Sequence, residues 1–381
     1  MRHQRAAVAA SLIAVLGTTA GLAAPAQARA SGPAGWRIVK VIARTARSMV
    51  LNKVTATGSA SAWAAGSTCP PCDEGDLFAT TNLLLERWTA GNWSRVRPPS
   101  RLLRGMGSFA TMDASSRTNL WIIGGNQATT SLLRYNGAKW TKITLPAPPA
   151  PEHNYGGGGA IHAFGPADIW SFAGDFAFHY HRHGWQRTRL PAALRAYGDV
   201  SFVSSTDIWA LGRYSRRSQV SGNRYAAMHW NGKSWRVVSL GAIKLPQPTK
   251  YRLGPIVATG PRNLWVVGNL VHAPFLLHWA GSAGGWSRVD LPTGSNSIDA
   301  MAQDGHGGLW LYAYSEAGTW QFDHYNAGNW TQQPVPTEPG GSNLLYSMSW
   351  IPGTHSVWAV GQALPSATAT KLQAVILKYG P

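Results

Sequence analysis

Sixteen of nineteen tryptophans fall into a register that repeats seven times, and no other feature of this 381-residue chain restricts its fold as tightly. A first site holds Trp63, Trp121, Trp170, Trp209, Trp265, Trp310 and Trp358. A second site, aromatic in every copy, holds Trp88, Tyr135, Tyr180, Trp230, Trp279, Tyr325 and Tyr379. A third holds Trp93, Trp140, Trp185, Trp235, Trp286 and Trp330, five residues after the second except in the fifth copy, where the gap is seven. A period of roughly 40 to 60 residues marks a chain built from supersecondary units, each of which must bury its faces against its neighbours.

Each unit reads as four strands. In the fourth copy an alternating segment, 198–204, precedes a polar turn and the strand Trp209-Ala-Leu-Gly212. After a loop comes 226–230, and Asn231-Gly232-Lys233 delivers the strand from Trp235. Asn-Gly between apolar runs is a strong hairpin signal. The middle strands, such as Leu264 to Val267, are apolar at consecutive positions, as strands covered on both faces must be. Without helical periodicity after the first 28 residues, the expectation is all-β: a seven-bladed β-propeller of four-stranded antiparallel blades. Six copies are complete, and the seventh stops at Tyr379-Gly380-Pro381, short of its fourth strand. Gly35 to Val41 has the form of that missing strand, so the N-terminal strand is expected to pair with 374–379 and close the ring, which leaves no open sheet edge. The repeat aromatics read as inter-blade core. Each can bury about 150 to 250 Å², or about 4 to 6 kcal/mol before entropy.

Residues 1–28 carry Arg2 and Arg5, an apolar stretch around Ala10 to Leu16, and the small-residue ending Ala26-Gln27-Ala28. That pattern reads as a secretory signal peptide cleaved near Ala28, with 29–381 as the single propeller domain and an extracellular product. No later run is long and apolar enough to span a bilayer. The formal net charge of +18 falls to +16 without the leader, a field that favours polyanions, although Arg-rich coding bias produces the same excess. Cys69 and Cys72 enclose Pro70-Pro71 and are expected to form a small disulfide loop rather than a redox or zinc site.

The second copy, Leu120-Trp121-Ile122-Ile123-Gly124-Gly125, then Tyr135, Trp140 and Leu145-Pro146, resembles a kelch repeat of the galactose-oxidase-like propellers. The resemblance implies architecture over most of the mature chain. The copper site it would imply needs a cysteine apart from the 69–72 loop, and both cysteines lie within that loop.

Residues that converge on chemistry are few. His179, His181 and His183 suggest a metal cluster, but His179 aligns with Arg87, Arg134, His229, His278, His324 and Lys378, which makes it a repeat feature. Asp168 and Asp207 are read as turn caps. Trp320 and Trp350, outside the three sites, are read as candidates for exposed ligand contact. No catalytic residue, metal or cofactor is assigned. The loops joining the second and third strands, together with the links between blades, share one rim. They carry Arg97, Arg101, Arg104, Arg189, Arg195, Arg213, Arg216, Arg217 and Arg224, followed by Lys244, Lys250 and Arg252. Tyr214, Tyr225 and Tyr251 are interleaved with them. Guanidinium groups pair bidentately with carboxylate and phosphate. The leading expectation is a secreted, non-enzymatic, monomeric binding propeller that captures an anionic polysaccharide or cell-wall polymer on this basic rim. The alternatives are a carbohydrate lyase or hydrolase at the channel mouth and a protein-docking scaffold. No specific nucleic-acid partner is expected.

Overall fold

In a computed structural model, the residues described are 35–43, 47–69, 82–89, 91–106, 108–125, 130–145, 159–173, 175–182, 184–191, 194–214, 225–240, 243, 251–270, 273–366 and 368–381. They form seven four-stranded antiparallel sheets. Strand β1 is Trp36–Ile42. Blade 1 follows as β2 (Ser48–Gly58), β3 (Ser61–Cys69), β4 (Asn82–Thr89) and β5 (Asn92–Arg95). Blade 2 is β6 (Ser108–Ser116), β7 (Asn119–Gly125), β8 (Thr130–Tyr135) and β9 (Trp140–Thr144). Blade 3 is β10 (Ile161–Gly165), β11 (Asp168–Ala173), β12 (Phe176–His181) and β13 (Gly184–Arg189). Blade 4 is β14 (Leu194–Ser204), β15 (Asp207–Tyr214), β16 (Tyr225–Trp230) and β17 (Trp235–Val238). Blade 5 is β18 (Tyr251–Gly260), β19 (Asn263–Leu270), β20 (Phe275–Trp279) and β21 (Trp286–Val289). Blade 6 is β22 (Ser295–Gln303), β23 (Leu309–Ser315), β24 (Trp320–Asn326) and β25 (Asn329–Pro334). Blade 7 is β26 (Ser342–Trp350), β27 (Val357–Leu364) and β28 (Gln373–Tyr379), completed on its outer edge by β1.

The closure anticipated from the sequence is present, with Trp36 opposite Tyr379 and Ile42 opposite Ala374. Apolar clusters lie between successive blades: Trp63 and Leu85 of blade 1 pack with Met112, Leu120 and Leu133 of blade 2. The first-site tryptophans are at most 3% exposed, so the indoles are core. Among the described residues no helix is long and apolar enough to cross a membrane.

Most inner strands carry a β-bulge near their midpoint. Register slips occur between Leu51 and Lys53, Phe109 and Thr111, Leu253 and Ile256, Ile298 and Ala300, and Leu345 and Ser347. A bulge bends the strand and pushes local backbone toward its partner. In blades 1 and 7 the partner backbone comes close to the glycine three residues after the first-site tryptophan. A Cβ on Gly66 would stand 2.0 Å from the carbonyl oxygen of Val50, and one on Gly361 2.0 Å from that of Leu344. Blade 6 carries the same bulge with Ala313 at this position, and blade 3 has Ala173, so the bulge alone does not demand glycine. Gly66→Ala is expected to destabilise the fold by about 3 kcal/mol, the upper end for overpacking because the obstacle is backbone. A thermal melt indistinguishable from wild type would refute the close approach.

Candidate functional site

In an antiparallel meander the first and third hairpin turns open on one face of the ring, and the middle loops and inter-blade links on the other. On the link face, Arg97, Arg101 and Arg104 are exposed on the connection from blade 1 to blade 2, with Arg101 in a one-turn helix, Ser100–Leu103. Lys142 Nζ donates to the Arg104 carbonyl at 2.7 Å. Arg189 is exposed at the end of β13, its guanidinium 6.0 Å from the centre of the Phe176 ring. Arg195 and Arg213 stand directly opposite each other in the β14–β15 register, next to Leu194 and Tyr214. Arg252, the second residue of β18, is exposed. Arg216, Arg217, Arg224, Lys244, Lys250 and Cys72 lie outside the described residues, and so does the Cys69–Cys72 pairing.

Tyr225 departs from the sequence reading. It opens β16 at 5% exposure, packed with Trp209, Leu253 and Phe275 between blades 4 and 5, so its ring belongs to the core and not to the rim. Trp320 stacks on Tyr312 at 4.4 Å, and Trp350 Nε1 donates to the Thr354 carbonyl, pinning a turn. Neither indole stands free for a ligand.

On the hairpin face the histidine ladder is structural. His179, His229, His278 and His324 stack on Trp170, Trp209, Trp265 and Trp310 at 4.1 to 4.2 Å. Arg87, Arg134 and Lys378 take the same place over Trp63, Trp121 and Trp358. Asp168 and Asp207, read from the sequence as turn caps, instead hold His179 and His229 through Nε2, each at 2.8 Å, and Asp304 holds His324 at 2.9 Å. For Asp168 and Asp207 the reason is geometric: a strand-start carboxylate two residues before the tryptophan reaches the imidazole on the next strand, whereas Asp304 reaches His324 from the turn between β22 and β23. In blade 5 Asn263 replaces the carboxylate, and burial holds the His278 imidazole below its ordinary value.

The inner strands carry polar groups that the aromatic repeat does not explain. Thr55 Oγ1 donates to Asp113 Oδ1 at 2.6 Å, and His162 Nδ1 and the Ala163 N–H meet Asp113 Oδ2 at 2.7 and 3.0 Å. The chain of contacts links blades 1, 2 and 3 and ends with His162 stacked on Phe202 of blade 4 at 4.4 Å. Burial alone would raise the Asp113 carboxyl. The His162 charge and hydrogen bond, with those from Thr55 and Ala163, outweigh it and bring the group below its ordinary value. A buried carboxylate on Nδ1 fixes the imidazole orientation, as in acid–base dyads. Here its other partners are strand backbone and a threonine, so the arrangement ties inner strands together.

Further along the channel, the bulges turn out Asn52, Asp299 and Tyr346 on blades 1, 6 and 7, all three exposed. Inner strands are covered on both faces by neighbouring blades, so the solvent these residues see is that of the channel. Among the described residues no group of three or more His, Cys, Asp or Glu is placed to hold a metal ion.

No protein-family model and no curated protein matches the chain. Solved structures do. A GH74 enzyme from Niastella koreensis superposes with a TM-score of 0.57 at 12% identity, covering 87% of this chain and 54% of its own, so the chain spans about half the length of that enzyme. YCF48 from Cyanidioschyzon merolae gives 0.56 at 16% identity over 90% of this chain and 98% of its own. YCF48 bound to a D1 peptide gives 0.55 at 14% identity over 94% and 99%. At such identities the likeness is one of fold.

Proposed function

We propose that this chain is a secreted, non-enzymatic binding propeller that holds an anionic extracellular polymer, a cell-wall glycan or similar polyanion, on its link face. The observation that carries the reading is the register of Arg195 opposite Arg213 on the two inner strands of blade 4, with exposed Arg189 at the end of the outer strand of blade 3. Like charges directly opposed across an antiparallel pair are unfavourable by about 0.2 to 1 kcal/mol, a penalty that an anion between them reverses. The distribution of acids adds support. Glu86, Asp113, Asp168, Asp207 and Asp304 are spent on internal cationic or imidazole partners. Asp323 is fully buried among amides. Among the described residues, none of these carboxylates is paired with an arginine of the link face. Neighbours of this architecture include a glycoside hydrolase and a peptide-bound protein, so the fold is compatible with glycan binding. Kelch-like ancestry of the blades, supported by the glycine pair of the second copy, belongs to the same proposal.

Retention on immobilised polygalacturonate and polyphosphate should fall steeply between about 50 and 200 mM salt, as counterion release requires. Changing both Arg195 and Arg213 to Gln should weaken binding at least tenfold at low salt and reduce the slope of log K against log salt by about 2. Gln keeps a long polar side chain at both strand positions and should not unfold the protein. Salt-insensitive binding, or equal retention on neutral dextran, would count against the rim, and release of an unsaturated product from polygalacturonate would favour a lyase.

A further inference from the structure

Independently of the rim, the inner channel wall carries a second kind of chemistry. Asn52, Asp299 and Tyr346 occupy equivalent bulges on three consecutive blades, each following a fully buried residue: Leu51, Ile298 and Leu345. The Val54 N–H donates to Ser347 Oγ at 3.2 Å, which fixes β2 against β26 and sets Asn52 and Tyr346 at neighbouring levels. Tyr346 is 39% exposed, whereas the inner-strand rings Phe109, Phe164 and Phe202 are half-buried. Burial, and after it the nearby Asp299 charge, raises the Tyr346 phenol above its usual range.

Asp299 itself is open to the channel yet walled in by strands, and burial raises its carboxyl, opposed by a hydrogen bond from Ser297. Among the described residues no Lys or Arg is ion-paired with it. Lys53, the inner-strand cation next to Asn52, is in register with Ala65, which packs toward blade 2 and away from blade 7. A partly desolvated carboxylate with no described ion-pair partner, on the blade next to an exposed phenol ring, is short of one thing. A cation satisfies the carboxylate directly and the ring through its face, worth more as the site is drier.

We propose that Asn52, Asp299 and Tyr346 form a binding site in the channel for a single ammonium or guanidinium group, with Asp299 as counter-ion, the Tyr346 ring as cation–π surface and the Asn52 carbonyl as further acceptor. The site takes a positively charged ligand, opposite in sign to the polymer assigned to the link face. One protein surface thus holds a polyanion while its axis accepts a cationic side chain or small amine.

Titration calorimetry of the chain from residue 29 onward, with methylguanidinium chloride, is expected to show saturable binding with a Kd on the order of a millimolar. Asp299→Asn should weaken it at least tenfold, and Tyr346→Ala similarly, whereas Tyr346→Phe keeps the ring and should bind as wild type. Both altered residues are exposed, and unchanged melting of Asp299→Asn separates loss of the site from loss of the fold. The Arg195, Arg213 double variant should bind methylguanidinium normally, so failure of the rim reading and failure of this one are distinguishable. A Gly-Arg-Gly peptide binding tenfold more tightly than methylguanidinium would identify a peptide side chain as the source, and equal binding a free small cation. Undiminished binding by Asp299→Asn overturns the proposal. So does binding of methyl glucoside that is lost in Tyr346→Ala, which would make the wall a neutral-sugar site.

Discussion

Deleting residues 29–42 is expected to abolish folding of the propeller, because the segment removed is the outer strand of blade 7 and a part of two inter-blade contacts. Trp36 is 8% exposed, stacks face to face on Phe322 of blade 6 at 3.8 Å and meets Trp310 edge-on at 5.5 Å. Its burial alone is worth about 5 kcal/mol, against a total of about 5 to 15 kcal/mol for a typical domain. On the opposite side, Lys40 Nζ reaches across the closure to Glu86 of blade 1 at 2.9 Å and to the Trp93 carbonyl at 2.7 Å. Glu86 is 1% exposed, and its remaining cation, Arg95, is 4.0 Å away, so loss of Lys40 strands a buried carboxylate. Deletion would also leave β28 as an unpaired edge. Soluble yield and near-ultraviolet circular dichroism measure the outcome. Trp36→Ala, which keeps the strand, should cost about 3 to 5 kcal/mol. A truncated protein that melts with the parent would mean the ring closes without its first strand.

That closure was legible in the sequence because the aromatic sites act as an absolute ruler: Tyr379 occupies the second site, and Trp36 has the form of the third. The all-β class and blade number followed from the same ruler, since a core indole at each first site leaves no freedom in register. The histidine ladder was half legible. Alignment of His179 with Arg87 and Lys378 identified a repeat position, but only three-dimensional neighbours show that it covers the tryptophan and is held by Asp168, eleven residues away along a hairpin. Asn52, Asp299 and Tyr346 left no signal at all. Strand faces are read by a period of two, and a bulge inserts one residue and reverses the phase. Tyr225 misled for the opposite reason: a tyrosine beside Arg224 reads as loop chemistry, whereas the strand begins at that residue and turns its ring inward.

Two buried aspartates should respond to neutralisation in opposite directions. Asp113 accepts from Thr55, His162 and Ala163 across three blades, and its carboxyl is held below the ordinary value. A depressed folded-state value means stability that is fully present above the unfolded value, near 3.8, and is lost as pH falls through the folded one. Asp113→Ala removes the acceptor shared by three donors and should cost about 3 kcal/mol near neutral pH, the low end for a broken buried pair because His162 keeps some access to channel water. Asp323 is fully buried, its Oδ1 accepting from Gln321 and Gln332 at 2.8 and 3.0 Å and its Oδ2 from Ser295 at 3.3 Å, and burial raises its carboxyl. Here the folded state prefers the proton, so its contribution is most favourable below the unfolded value and is lost as pH rises through the raised one. Asp323→Asn keeps an oxygen for the two glutamines and an amide for the Ser295 hydroxyl while removing the buried charge. At neutral pH it should melt no lower than wild type, and higher if the carboxylate is ionised there. Chemical denaturation of both variants between pH 4 and 8 tests the pair. A large loss for Asp323→Asn at neutral pH would mean that its charge is stabilised by a group other than these three, and a silent Asp113→Ala would remove the inner-strand tie from the account of what holds blades 1 to 3 together.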